Sequence, residues 1–369
     1  MNKNTTSEKT TLKKVNPEKI TSASLSITAT AVVVLGLIYF ADLLTPLALA
    51  IFLWLMIDGF ADLIHKKIPN ISRKLALPIV FILVFACLAG LVAFVADYAS
   101  AFAKDINLYN NRINDVIIQI YTMLHINAPA PTLVQLFGKI NPSSLLNQVG
   151  EVLKGFGGEA LFVVIYVLCL FAMQSTLPKK IIYIFQEKEE RDRVVALSAK
   201  IRKSMEDYLW VQTITGIMLS VACYVVFLIM GLKNAMFWAL VTFILSYIPA
   251  LGGALASVFP ALFALVQFTT PIPAILILAI TQGIQFVVGN IIQPRMTGDS
   301  LNLSVLMVFL SLAFWGKIWG GSGMFLAVPL TVMIMIIFAQ FKQTRALAIL
   351  MSANGRPDSD VTATDGKTS

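Results

Sequence analysis

Charge is scarce in this sequence. Asp, Glu, Lys and Arg make up 13% of its residues and hydrophobic residues 57%, against about 25% and roughly 45–50% in an ordinary soluble domain. That mixture cannot clothe a water-soluble surface, so a soluble enzyme is excluded. Histidine and cysteine are nearly missing as well, with only His65, His125, Cys87, Cys169 and Cys223. Each cysteine sits in an apolar run without a partner at metal or disulfide spacing and reads as a small buried hydrophobe. No metal and no cofactor is expected. There is no Walker A sequence, which excludes ATP hydrolysis by that route. Gly320-Gly321-Ser322-Gly323 matches the GxSG of intramembrane serine proteases, yet no histidine follows Ser322. The catalytic base is missing, and no enzymatic activity is expected. From Leu209 to Phe341 the sole carboxylate is Asp299, whereas a cation or proton site inside a membrane usually needs one.

What is abundant is long apolar runs. Several approach or exceed the ~20 residues needed to cross ~30 Å of hydrocarbon. The fold class is therefore an all-α polytopic membrane protein with about eight transmembrane segments. Net charge is +8, but 21 of the 28 Lys and Arg fall in four polar stretches: before residue 20, 66–74, 179–203 and after 341. These alternate with apolar runs, as cytoplasmic loops do under the positive-inside rule. The basicity reports topology, and no nucleic-acid partner is expected.

In chain order, 1–22 reads as a cytoplasmic tail. Residues 23–97 hold three transmembrane helices, with Pro46 at the turn between the first two. The first run is too long, and lacks the cleavage site, for a secretory signal. Residues 98–158 are expected on the extracytoplasmic side; Ile106, Tyr109, Ile113, Val116, Ile117, Ile120 and Leu124 recur there at helical spacing. That helix is a cap on the membrane domain or a contact in a homo-oligomer. A fourth span at 159–178 leads to a charged cytoplasmic helix at 179–207. Residues 208–341 form the transport core, and 342–369 a polar, disordered cytoplasmic tail. Both termini are expected in the cytoplasm.

Two apolar runs in the core are broken by glycine and then proline. Ala235–Pro249 and Ala254–Phe268 are each short for a crossing, so a re-entrant hairpin turning near Gly252 and Gly253 is expected. A second run from Asn302 to Phe341 turns near Gly320, Gly321 and Gly323. Pro260 and Pro329 fall at matching places. A span before each run makes two units of opposite direction, the inverted-repeat plan of secondary transporters. Eight full spans is the alternative, and it places Arg295 on the other side of the membrane.

Breaks at membrane depth need protein or water around them. Gln282, Gln285, Gly289 and Gln293 share one helix face, with Asn290 at its edge. Thr242 and Ser246 form an i,i+4 pair on the opposing broken run, beside Tyr247 and Pro249. These polar groups either glue helices together or line a solute path. Pro294 should end the helix before Arg295, with Asp299 four residues on as a local ion-pair partner. Asp58, Asp62 and His65 share a face, either as a cytoplasmic helix end or as an ion-coupling relay; Asp299 is the other candidate for ion coupling, in a sodium or lithium/proton antiporter.

At these residues the sequence resembles the autoinducer-2 exporter family of permeases, closest to the branch that includes the quorum-signal exporter. The resemblance is carried by Tyr247-Ile248-Pro249 with Gly252, and by Gly289-Asn290 with Pro294-Arg295 and Gly298. It continues through residues 303–316, Gly323 and Val328-Pro329-Leu330-Thr331. It is strong over 208–341 and agrees in plan over most of the chain. It implies a multi-pass bacterial inner-membrane exporter of small molecules, working as a homo-oligomer. Other members resemble sodium or lithium/proton antiporters, so the family alone does not fix the solute. Where close relatives commonly have Glu before the Pro-Arg pair this chain has Gln293, which puts proton coupling at that position in doubt. The expectation is a secondary exporter of a small polar molecule, with autoinducer-2 the first candidate. Tyr247, Gln282, Gln285, Asn290, Gln293, Arg295, Thr242 and Ser246 would line its path.

Overall fold

Inside hydrocarbon a backbone N–H or C=O finds no water, so each segment must satisfy its own groups, and a helix does so. In the computed structural model the described residues are 17–68, 71–104, 160–249, 251–297 and 302–356, with Asn114, Ile118, Tyr121 and Thr122. Every extended element among them is a helix; one isolated β-bridge joins Leu303 and Ser352. The expected helix from Ile106 to Leu124 falls almost wholly outside the described residues, as do Gly298 and Asp299.

The chain divides into two units, 1–44 and 45–369. The first holds α1 (Pro17–Tyr39) and the start of α2 (Ala41–Lys67). The turn between these helices lies at Phe40, six residues before Pro46. Pro46 instead sits inside α2, past the first turn, where it withholds one N–H from the ladder, the bond to the Asp42 carbonyl.

In the second unit α3 (Arg73–Lys104) runs past the expected exit at Asp97. Helix α4 (Ala160–Gln174) packs Val163 and Val167 against Ala50, Ile57 and Ala61 of α2 and Ala76, Val80 and Val84 of α3. After α5 (Leu177–Ile184), the charged segment and the span that follows it form one unbroken helix, α6 (Lys188–Ile229). Its 42 residues extend about 63 Å. Nothing in it breaks the i→i−4 ladder, so amphipathic and apolar parts join end to end. Helix α6 contributes to two apolar clusters. Leu219, Cys223 and Phe227 pack with Ala261, Phe263, Ala264, Ala274 and Ile277. Met205, Tyr208 and Leu209 pack with Phe52, Leu55, Leu326, Val332 and Ile336.

Both broken runs are hairpins. The first comprises α7 (Ala235–Ser246) and α8 (Leu251–Gln267). Its base is closed by Gln267, whose Nε2 donates to the Gly231 carbonyl at 2.8 Å and whose Oε1 accepts from the Lys233 N–H at 2.7 Å. The turn begins at Tyr247 and is described as far as Pro249, earlier than expected. Gly252 and Gly253 sit within the first turn of α8, where they permit close approach: a Cβ on Gly252 would overlap the Leu245 carbonyl, and one on Gly253 the Gln285 side chain. Helix α9 (Ile272–Val287) follows, then a π-helical turn (Val288–Ile292) and α10 (Gln293–Thr297).

The second hairpin is α11 (Val305–Gln340), which folds back at Gly320 with φ 61° and ψ −139°. Trp315 Nε1 donates to Thr331 Oγ1 at 3.2 Å; in a straight helix residues 16 apart would lie about 24 Å apart. A Cβ on Gly323 would overlap the Trp315 carbonyl, the counterpart of Gly252 over Leu245. Pro260 and Pro329 are both buried in second arms.

Five described helical runs are long and apolar enough to cross a membrane: Ala41–Lys67, Leu75–Tyr98, Lys188–Ile229, Ile272–Met296 and Val305–Gln340. This is fewer than the eight expected. The arms of the first hairpin and the described apolar parts of the first and fourth expected spans are shorter than 18 residues, and α11 counts once though it is folded in two. The C-terminal segment is also more ordered than expected. Helix α12 (Arg345–Met351) continues into described chain as far as Arg356.

Gly320 occupies backbone space that a side chain enters at a cost of about 1–3 kcal/mol. Thermal unfolding in detergent should show Gly320→Ala clearly destabilised. Gly321→Ala, with open space where its Cβ would stand, should melt within a degree or two of the parent protein.

Candidate functional site

The tips of the two hairpins approach each other beside α6. Tyr247, at the end of α7, stacks on Phe325 of the second hairpin with ring centroids 5.2 Å apart. Its hydroxyl lies 2.8 Å from Thr213 Oγ1. Gly216 leaves room on α6 for Phe243 and Ser246, and Ser220 Oγ donates to the Ala239 carbonyl at 2.7 Å. Small residues on α6 thus let the broken end of α7 lie against it.

Beside the tip of the first hairpin is a cleft of about 750 Å³. Its wall carries seven amides: Gln212 from α6, Gln282, Gln285 and Asn290 from α9 and its π turn, Gln293, Asn302 and Asn354, with Ser246 and Pro249 at the hairpin tip and apolar Ile248, Phe286, Leu303 and Val308 between them. No carboxylate, lysine or arginine is among the described residues lining it. The expected helix face holds: Gln282, Gln285, Gly289, Asn290 and Gln293 line one space, and Ser246 faces the same space. Three expected path residues stand elsewhere. Thr242 is buried, its hydroxyl donating to the Trp238 carbonyl at 2.9 Å. Tyr247 is buried under Phe325. Arg295 is exposed and not in the cleft wall.

Gln212 was not anticipated. Only 4% exposed, it accepts Gln293 Nε2 on its Oε1 at 3.1 Å and donates Nε2 to the Ser246 carbonyl. That carbonyl belongs to the last turn of α7, where no intrahelical donor remains. The relay Gln293–Gln212–Ser246 ties α10, α6 and the first hairpin tip together. The signal was an amide inside the apolar stretch LWVQTITGIMLS, in the span that pairs with the one carrying Gln282 and Gln285.

Pro294 does not end the helix as expected, since α10 continues to Thr297. The π turn explains this. The Gln293 N–H reaches the Val288 carbonyl, five residues back, and Pro294 brings no N–H to the carbonyls of Gly289 and Asn290. Those two residues line the cleft. A π turn is a rare interruption, found mostly where function needs one. Asn290 Nδ2 donates to the Phe286 carbonyl at 3.1 Å, and Gln285 Oε1 is buried with no partner among the described residues.

Asp58 and Asp62 lie apart from the cleft. Asp58, fully buried, pairs with Arg73 at 2.8 Å and with Arg202, and receives Gln174 Nε2 at 3.3 Å. Arg73 also holds Asp62 at 2.7 Å, and Arg202 holds Glu206 at 2.7 Å. His65 Nδ1 lies 2.8 Å from the Ile71 carbonyl. This cluster joins α2, α3, α4 and α6.

Apolar helices in this number and arrangement, with helix breaks gathered around a polar cleft, define a multi-pass membrane protein of the transport class. Residues 27–343 match the pattern of the AI-2E family transporters, and the chain belongs to that family. It is 27% identical over 326 residues to the AI-2 transport protein TqsA of Escherichia coli strain K12, covering 87% of this chain and 92% of that one. It is 26% identical over 339 residues to YhhT of the same strain, provisionally described as a transport protein, covering 91% and 95%. A provisionally described transport protein of Haemophilus influenzae is 28% identical over 350 residues, covering 89% and 95%.

Two outcomes test these contacts. Asp58→Asn removes the buried carboxylate that two arginines share, though each keeps a second carboxylate, and should cost about 1–3 kcal/mol in thermal unfolding; the half-exposed Asp62 should cost under about 1 kcal/mol when changed to Asn. Gln293→Glu sets a carboxylate oxygen against Gln212 Oε1, where only a donor fits. Its transport should fall at neutral pH and recover at a pH low enough to protonate the carboxyl, which can then donate. Transport by the parent protein should lack that recovery.

Proposed function

We propose that this chain is a secondary exporter that moves a small, uncharged polar solute out across the bacterial cytoplasmic membrane. The observation that carries the reading is the cleft of about 750 Å³ lined by seven amides, with no charged side chain among the described residues of its wall. Amides offer both donors and acceptors, which suits hydroxyl, carbonyl and ether oxygens and gives no advantage to an ion. The volume lies in the range of small-molecule sites, about 300–1,000 Å³. Autoinducer-2, a small oxygen-rich solute, is the first candidate, and TqsA, named as an AI-2 transport protein, supports that choice. The antiporter alternative would need a carboxylate in the path; Asp58 and Asp62 are occupied by arginines away from it, and Asp299 lies outside the described residues.

The cycle follows from the two hairpins. The membrane half of α6 with the first hairpin, and α9 with the second, form two units of the same plan that enter the membrane from opposite sides. Rocking of one against the other would open the cleft first to one face and then to the other. Both termini and the basic loop near Lys66 and Lys67 lie in the cytoplasm on this reading. Gln285 and Asn290 contact the solute, and Gln212 and Gln293 hold the tip in place. Thr242 and Tyr247 shape the tip without touching solute. Arg295 stands at the cytoplasmic end of the path.

The test is accumulation of labelled autoinducer-2 in inside-out membrane vesicles, driven by an imposed ion gradient. Vesicles carrying the protein should accumulate the solute above those without it. Asn290→Ala and Gln285→Ala should each raise KM about 2- to 10-fold, the loss of one net hydrogen bond. If autoinducer-2 and a panel of labelled uncharged polyols all fail to accumulate, the reading is wrong.

A further inference from the structure

The segment after α12 returns to the loop before α11. The Ser304 N–H donates to the Met351 carbonyl at 2.9 Å, and the Ala353 N–H to the Asn302 carbonyl at 3.0 Å, on either side of the Leu303–Ser352 bridge. Asn302 adopts φ 36°, a conformation that asparagine tolerates better than most residues. Its side chain then closes a clasp. Nδ2 donates to Asn354 Oδ1 at 2.8 Å and to the Arg356 carbonyl at 2.7 Å, while Oδ1 accepts the Asn354 N–H at 3.3 Å. The root of this strap is fixed independently, because Ala348 and Met351 pack with Met335 and Ala339 of the second hairpin.

The strap reaches the cleft. Asn302, Leu303, Ala353 and Asn354 line the same space as Gln285 and Asn290. Asn354 is used unevenly: its Oδ1 accepts from Asn302 Nδ2 at 2.8 Å and from the Arg356 N–H at 2.9 Å, whereas its Nδ2 has no partner among the described residues. The clasp therefore fixes the acceptor end of this amide and leaves the donor end unspent in the cleft wall. A fixed donor at a solute site costs little ordering entropy when it is used.

We propose that the C-terminal strap is part of the solute site, with Asn354 Nδ2 donating to an acceptor oxygen of the uncharged solute and Asn302 as its positioning residue. This rests on the reading of the cleft as the solute path and adds to it a wall contributed from beyond the transport core.

The experiment is counterflow of labelled autoinducer-2 in proteoliposomes of the full-length protein, with KM and Vmax measured separately and folding checked by thermal unfolding. Asn354→Asp keeps the Oδ1 acceptor and the clasp but replaces the donor with an oxygen. Its KM should rise about 2- to 10-fold, Vmax should stay within twofold, and its melting should be unchanged. Asn354→Ala should raise KM at least as far, and Asn302→Ala should raise KM with a smaller effect on Vmax. Asn354→Asp carries the decision where the alanine variants fold poorly. Parent-like KM in Asn354→Asp, alongside a raised KM in Asn290→Ala, would overturn the strap and leave the cleft standing. Parent-like KM in both variants, or no counterflow by the parent protein, would remove the cleft reading and the strap with it.

Discussion

A helix that stops inside hydrocarbon strands carbonyls and N–H groups where no water can reach them, and this protein is arranged around settling that debt. The last turn of α7 ends at Ser246, and its carbonyl is taken by Gln212 from α6. Helix α9 is widened by a π turn and followed by a proline, which brings no N–H to the carbonyl of Gly289 or Asn290. Both residues line the cleft. The same groups that would be intolerable in lipid become a polar chamber once they are gathered in one place.

The hairpins depend on glycine in two different ways. Gly320 supplies a backbone conformation closed to side chains. Gly252 and Gly323 supply space, each lying on the carbonyl of the arm it folds against. Together they let both runs fold back on themselves, the first with arms of 12 and 17 residues, and Tyr247 stacks on Phe325 of the second hairpin.

Much of this was legible in the chain. Apolar runs cut by Gly-Gly and then Pro marked both hairpins, because local backbone chemistry dictates them. The amide face from Gln282 to Gln293 was legible because helical periodicity alone puts those residues on one side. Long-range pairing was not. Asn302 and Asn354 are 52 residues apart, and neither looks unusual in its own stretch. The register shift at Val288–Ile292 was hidden for another reason: Pro294 normally signals a stop, and only the extra residue in the preceding turn makes it tolerable. The pairing of Asp58 with Arg73 and Arg202 was hidden too, since three acidic or imidazole groups on one face of α2 give no hint of the two guanidiniums arriving from α3 and α6.

Arg202, which meets Asp58, and Gln212, which meets Ser246, stand on a single uninterrupted rod. Ten residues of α-helix separate them, about 15 Å, with no glycine or proline between to act as a joint. A rod without a joint transmits tilt from one end to the other. Whatever pries Arg202 off its carboxylate therefore tugs on the amide relay at the chamber, so the electrostatic anchor and the hairpin tip are mechanically one device.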